Sequence, residues 1–134
     1  MVDMRRQFKL PESDEDYLKS RGLSWETVIE GQVQRVVLYD YPLPPGYDQK
    51  LATLNVRLQS GYPDVQIDMA SFYPKLQRSD GRAVHSVMPD PFDGKEWQCW
   101  SRHRTGVNPW RAGIDNLETH LLMMDYLLAQ EVTR

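Results

Sequence analysis

Ala52-Thr53-Leu54-Asn55-Val56-Arg57-Leu58-Gln59, followed by Ser60 and the break Gly61-Tyr62-Pro63-Asp64, is the stretch on which the fold turns. Leu54, Val56 and Leu58 share one face, and Thr53, Asn55 and Arg57 the other. That period of two marks a strand with one buried side, and Gly61 and Pro63 stop it. Upstream, Gln34 to Tyr41 is rich in Val, Leu and Tyr and reads as a second strand. Tyr41-Pro42-Leu43-Pro44-Pro45-Gly46-Tyr47 ends it as a stiff connection with a turn at Pro45-Gly46. Downstream, Val65, Ile67 and Met69 alternate within a third strand, Val65 to Phe72, closed by Tyr73-Pro74.

Helices flank these strands. Between Leu10 and Gly22, Pro11 and the acids Glu12, Asp14, Glu15 and Asp16 stand where a helix begins, and Gly22 where one ends. A helix of two to three turns is expected there, with Tyr17 and Leu18 inward. At the other end Ile114, Leu117, Leu121, Met124 and Leu128 recur at helical spacing, giving an amphipathic helix from about Asp115 to Gln130. Asp115 is the expected N-cap, with Glu118 completing a capping-box-like pair. Residues 75 to 96 show little periodicity and several turn signals, and read as a long irregular segment. The order of helix, antiparallel strands, irregular segment and helix defines an α+β class. Residues 10–134 form one domain, preceded by a flexible basic arm at residues 1–9.

The net charge of −3 argues against nucleic acid as the primary partner. A single cysteine cannot form an internal disulfide, and neither a signal-peptide-like start nor a membrane-length apolar run occurs, so a cytoplasmic location is expected. Three scattered histidines and one cysteine make no metal pattern. Phosphate-loop, nucleophile-elbow and dinucleotide signatures are absent.

Chemistry concentrates in Trp97-Gln98-Cys99-Trp100-Ser101-Arg102-His103-Arg104. A thiol, a hydroxyl, an imidazole and two guanidinium groups lie together, the side chains used as nucleophile, base and stabiliser of negative charge. In an extended chain Cys99, Ser101 and His103 share a face. Blander roles compete: Trp97 and Trp100 as core, Cys99 as a small buried hydrophobe, Arg102 and Arg104 as a solvated face. His120 lies one step off the apolar stripe and reads as a helix-surface or core-edge residue. His85 has no partner at ligand spacing, and the acids near Glu12 suit a helix start better than acid–base work.

Taken together, Leu43-Pro44-Pro45-Gly46-Tyr47, Leu54-Asn55-Val56-Arg57-Leu58, Gly61-Tyr62-Pro63-Asp64, Trp97-Gln98-x-Trp100-Ser101-Arg102-His103 and Trp110-Arg111-x-Gly113-Ile114-Asp115-x-Leu117 resemble the prokaryotic ubiquitin-conjugating-enzyme-like proteins of family E. The resemblance covers about residues 10 to 130, and the W-x-x-W-S-R-H element is its most specific part. It implies a ubiquitin-conjugating-enzyme-like fold with an N-terminal helix, a four-stranded antiparallel meander, an irregular active-site segment, and a tryptophan, here Trp110, that opens a helix. In that family pattern the nucleophile lies shortly before this tryptophan. Ser101, nine residues before Trp110, fits better than Cys99, eleven before it. The His-Pro-Asn tripeptide of the eukaryotic enzymes is absent.

The resemblance implies a carrier that accepts a ubiquitin-like modifier, often of several tandem units, from an adenylating activating enzyme and passes it to a target. ATP is used by the activating partner, so no cofactor is expected on this chain. A thiol ionises near about 8.5 and needs little help, whereas a serine hydroxyl requires a neighbouring base. His103 is the candidate base, Arg102 or Arg104 with backbone N–H groups the candidate oxyanion stabiliser, and Cys99 the alternative nucleophile. The N-terminal helix and the basic arm (Arg5, Arg6, Lys9) are where such proteins meet the activating enzyme. A different class stays open: a module of the same fold that binds a ubiquitin-like protein or an activating enzyme without transfer chemistry, in which Trp100, Arg102 and His103 form a structural knot or grip the modifier.

Overall fold

The computed structural model describes residues 4–134. Helix α1 (Glu12–Ser20) is followed by strands β1 (Ser24–Glu30), β2 (Val33–Pro42), β3 (Leu51–Leu58), β4 (Ile67–Tyr73), β5 (Val87–Phe92) and β6 (Lys95–Trp100), then by helix α2 (Leu117–Glu131). The strands form one antiparallel sheet in the order β1-β2-β3-β4-β6-β5. The α+β class stands, and the three expected strands appear as β2, β3 and β4. Three further strands complete a sheet of six, where the resemblance implies four.

The hairpin β5–β6 replaces half of the segment read as irregular. Pro89 and Pro91 argued against a strand, but they lie on β5, the edge of the sheet, where a missing N–H is tolerated. Phe92 pairs with Lys95 across Asp93-Gly94, both residues with positive φ (55° and 74°), as a two-residue primed turn requires.

Both helices end for local reasons. Gly22, at φ 67°, donates to Lys19 O while the Leu23 amide donates to Leu18 O, the paired bonds that close a helix with a left-handed residue. α2 starts later than expected. Asn116, not Asp115, is its N-cap: its side chain accepts from the Thr119 amide, and the Thr119 hydroxyl accepts from the Asn116 amide. Asp115 is spent on the preceding turn, accepting from the Arg111 amide at 2.7 Å. Ile114 is accordingly outside the stripe and 59% exposed.

α2 packs Leu117, Leu121, Met124 and Leu128 against the sheet, where they meet Leu38, Leu54, Phe72 and Trp100 beside Leu18 of α1. Tyr17 is only partly buried at the edge of that core. Gly46 fits the Pro-Pro-Gly turn to the end of α2: a Cβ there would stand 2.8 Å from Val132. Asp14, read as one of several helix-start acids, is buried and joins three elements. It accepts from the Tyr62 hydroxyl at 2.5 Å and from the Leu117 amide at 3.3 Å.

The opposite face of the sheet is not a bare solvent surface. Val28, Val37, Phe92 and Trp97 form a second small core there. Asp90 on β5 bonds Arg35 on β2 at 2.8 Å, although four strand spacings, about 19 Å in a flat sheet, separate those strands. The sheet therefore curls over this face. The arm expected to be loose takes part: Arg5 bonds Glu26 and Asp93, and the Thr27 and Gln7 amides exchange bonds with Arg5 O and Thr27 O. Residues 1–3 of the arm lie outside the described residues.

Candidate functional site

β6 carries Trp97, Gln98, Cys99 and Trp100 in alternation. Trp100 and Gln98 point to the main core, where the indole donates to the Gln98 side-chain oxygen Oε1 at 2.9 Å. Trp97 and Cys99 point to the curled face. The two tryptophans are core residues, as their size suggested, and they fix the strand that presents Ser101.

Ser101 follows the last residue of β6 and is partly buried, tied by its amide to Ser86 O at 3.0 Å. Its Oγ lies 3.2 Å from His103 Nε2. The same imidazole places Nδ1 3.0 Å from Asp68 Oδ1 and 3.2 Å from Oδ2. An ionised carboxylate only accepts, so Nδ1 carries the proton and the Nε2 lone pair faces the serine. The result is a hydroxyl, an imidazole and a carboxylate in series, with the imidazole 58% exposed.

Asp68 was missing from the expected site. Its chain position gave no hint, because β4 contributes it through a bulge. Asn55 pairs with Ser71 and Arg57 with Asp68, so two steps along β3 answer three along β4. The extra residue is Met69, at φ 64°. In a regular strand, with no bulge, Asp68 would share the inward face of Ala70 and Phe72.

Cys99 does lie on the face of Ser101, but only 2% of it is exposed, and its Sγ rests 3.9 Å from Met69 Sδ. Burial pushes its thiol above the ordinary range, with a weaker opposing bond from Ser71. A buried, protonated thiol is a poor nucleophile.

The arginines correct the expectation most sharply. Arg102 donates to His85 O at 3.0 Å, Ser86 O at 3.1 Å and Glu131 at 3.2 Å, and lies over the Trp100 ring. Arg104 approaches Asp115 at 3.8 Å and covers Trp110. Neither is a solvated face. Arg102 ties the His85-Ser86 segment before β5 to the end of α2, and Arg104 ties the 104–110 loop to the turn before α2.

The other histidines also differ from their sequence reading. His85 does have a partner, Glu131, at 2.8 Å from Nδ1. His120 is fully buried, and its Nε2 lies 3.0 Å from Met69 O. Trp110 opens no helix: its indole donates to Pro63 O at 3.0 Å and its ring packs on Tyr62, tying the site loop to the Tyr-Pro turn. On the basic arm, Arg5 is committed to carboxylates, Arg6 lies over Trp25 while staying exposed, and Lys9 is exposed and 3.6 Å from Glu15.

A helix before an antiparallel meander, a Tyr-Pro turn after its third strand and a polar segment leading from the sheet to the last helix define a ubiquitin-conjugating-enzyme-like protein. The chain belongs to the prokaryotic E2 family E, whose family model matches residues 10–131. Membership carries with it, in general terms, dealings with a ubiquitin-like modifier and an activating enzyme. No curated protein and no solved structure matches the chain. Among the described residues no helix is long and apolar enough to cross a membrane.

Proposed function

We infer that this chain is a cytoplasmic carrier of a ubiquitin-like modifier that holds the modifier's C-terminus as an oxyester on Ser101. The observation that supports this best is the approach of Ser101 Oγ to His103 Nε2, with Asp68 behind the imidazole. In the loading step Ser101 Oγ attacks the modifier's activated C-terminal carbonyl, presented by the activating enzyme as an adenylate or thioester. His103 Nε2 takes the hydroxyl proton, Asp68 stabilises the imidazolium, and the adenylate phosphate or thiolate leaves. In the transfer step a target amine attacks the ester carbonyl, and His103 returns a proton to the departing Ser101 oxygen. With the arginines bonded elsewhere, the oxyanion falls to backbone amides beyond Arg102, whose own amide donates to Trp100 O at 2.9 Å. ATP is consumed by the partner, and a modifier of several ubiquitin-like units is accommodated because only its C-terminus is held.

One observation favours the rival, a binding module without transfer chemistry: Arg102 and Arg104 are built into the frame rather than aimed at the hydroxyl. Charging separates the two. The protein is incubated with its modifier, activating enzyme and ATP, and covalent adducts are read by mass spectrometry. An adduct that resists thiol reductant, yields to hydroxylamine and disappears in Ser101→Ala but not in Cys99→Ala is the expected outcome. An adduct lost with reductant and with Cys99→Ala transfers the role to the thiol. No adduct beside a demonstrably active activating enzyme leaves the binding module.

A further inference from the structure

His120 stands in the buried stripe of α2, among Leu117, Leu121, Met124 and Leu128, where another leucine would pack without polar cost. Its single hydrogen bond runs to the Met69 carbonyl, and Nδ1 has no partner. A carbonyl only accepts, so Nε2 carries the proton and Nδ1 is left bare in the core. Burial holds its pKa down to about 4, which keeps the ring neutral. An imidazole with half of its polar capacity unmet in a core is a liability unless the bond it does make serves a purpose.

That bond falls on the strained residue of the β4 bulge. Met69 is a non-glycine residue at φ 64°, a conformation that persists only where its surroundings enforce it. The bulge is what turns Asp68 out to the face of Arg57 and His103. We propose that His120 is a positioning residue for the Ser101–His103–Asp68 series: by bonding the Met69 carbonyl it holds the bulge that aims Asp68 at the His103 imidazole. α2 thereby sets the geometry of a site it does not touch. The functional consequence rests on the reading of Ser101 as the acylated group, but the structural link does not.

The test reads the link directly. Long-range 1H–15N NMR of the full chain at mildly alkaline pH reports which His103 ring nitrogen carries the proton. In the wild type the proton sits on Nδ1, facing Asp68. Asp68→Asn relaxes it toward the Nε2–H form that an unconstrained neutral imidazole prefers. His120→Leu does the same while circular dichroism stays native, and His120→Gln, whose amide can still donate to Met69 O, retains the wild-type form. A folded His120→Leu with the proton still on Nδ1, or a folded His120→Gln that behaves like the leucine variant, overturns the proposal. If the leucine variant fails to fold, His120→Asn, too short to reach the carbonyl, takes its place: it loses the Nδ1–H form where glutamine keeps it, and identical behaviour of the two overturns the link. Labelling of Ser101 by a fluorophosphonate is expected to slow about 10- to 100-fold in the variants that lose the Nδ1–H form. Intact NMR behaviour with no charging by modifier removes the carrier reading alone, and charging that persists with the NMR link absent removes this inference alone.

Discussion

Cys99 and Ser101 show how much two residues' displacement along one strand decides. Both side chains emerge on the same face. Cys99 is still inside the ladder, with Ser71 and Met69 against it, while Ser101 is one step past the strand end and meets His103. Cys99→Ala is therefore expected to leave charging intact and to cost on the order of 1 kcal/mol of stability, read by urea unfolding. Asp68→Asn is expected to slow Ser101 acylation by about 10²-fold with little loss of stability, because the carboxylate is at the surface and orients the base. Equal rates for Asp68→Asn and wild type would strip Asp68 of that role. Ser101 and His103 were legible in the sequence because two-residue spacing in an extended chain puts them side by side. Asp68 was not, since its approach depends on an extra residue in a distant strand that no local pattern declares.

At the level of elements, α2 and the β5–β6 hairpin are instructive in opposite ways. The apolar stripe of α2 is local information and survives folding almost unchanged. Its start is not, because Asp115 and Asn116 are both competent caps, and the choice fell to whichever had the better partner. Thr119 returns a hydroxyl to Asn116, while the Arg111 amide claims Asp115. Asn116→Ala is expected to cost about 1 kcal/mol in urea unfolding, and Glu118→Ala much less. In the hairpin, Asp93-Gly94 is a strong turn signal hidden among prolines that argued for a loop. Gly94→Ala, at φ 74°, is expected to lower stability by about 1 kcal/mol.

Across the whole molecule the curl of the sheet buries charge. Arg35 and Asp90 are 3% and 2% exposed, with Ser71 and Arg57 completing the bonds to Asp90. Asp90→Ala would leave the buried Arg35 with only the half-exposed Glu30 as a carboxylate partner, at 3.2 Å, and is expected to cost roughly 3 kcal/mol, whereas swapping Arg35 and Asp90 for apolar residues of matched volume would cost far less. Acid sensitivity follows from the same interior. His120 has its pKa lowered from 6.5 to about 4, so between those values the unfolded chain binds a proton that the native chain refuses. Stability is thus full above the unfolded value and falls as pH drops through this window, by up to about 3 kcal/mol from this residue. Asp90 and Glu131, both with lowered pKa, add losses in the same direction at still lower pH. Urea unfolding at pH values spanning the histidine window should show a shallower decline in His120→Gln than in the wild type.

The sequence by itself determined the α+β class, the central strands, the stripe of α2 and the nearness of Ser101 to His103. All of these depend on periodicity or on spacing within one segment, and a segment carries that information before it folds. Only the tertiary structure decided that β5 folds back over β2, that Arg102 and Arg104 brace the frame, and that Asp68 stands behind His103. Those outcomes join residues from separate strands, and a bulge at one residue, Met69, changes which face a carboxylate occupies. Sheet curl and bulge register are set by how strands pack against one another, so they exist only once the strands have met.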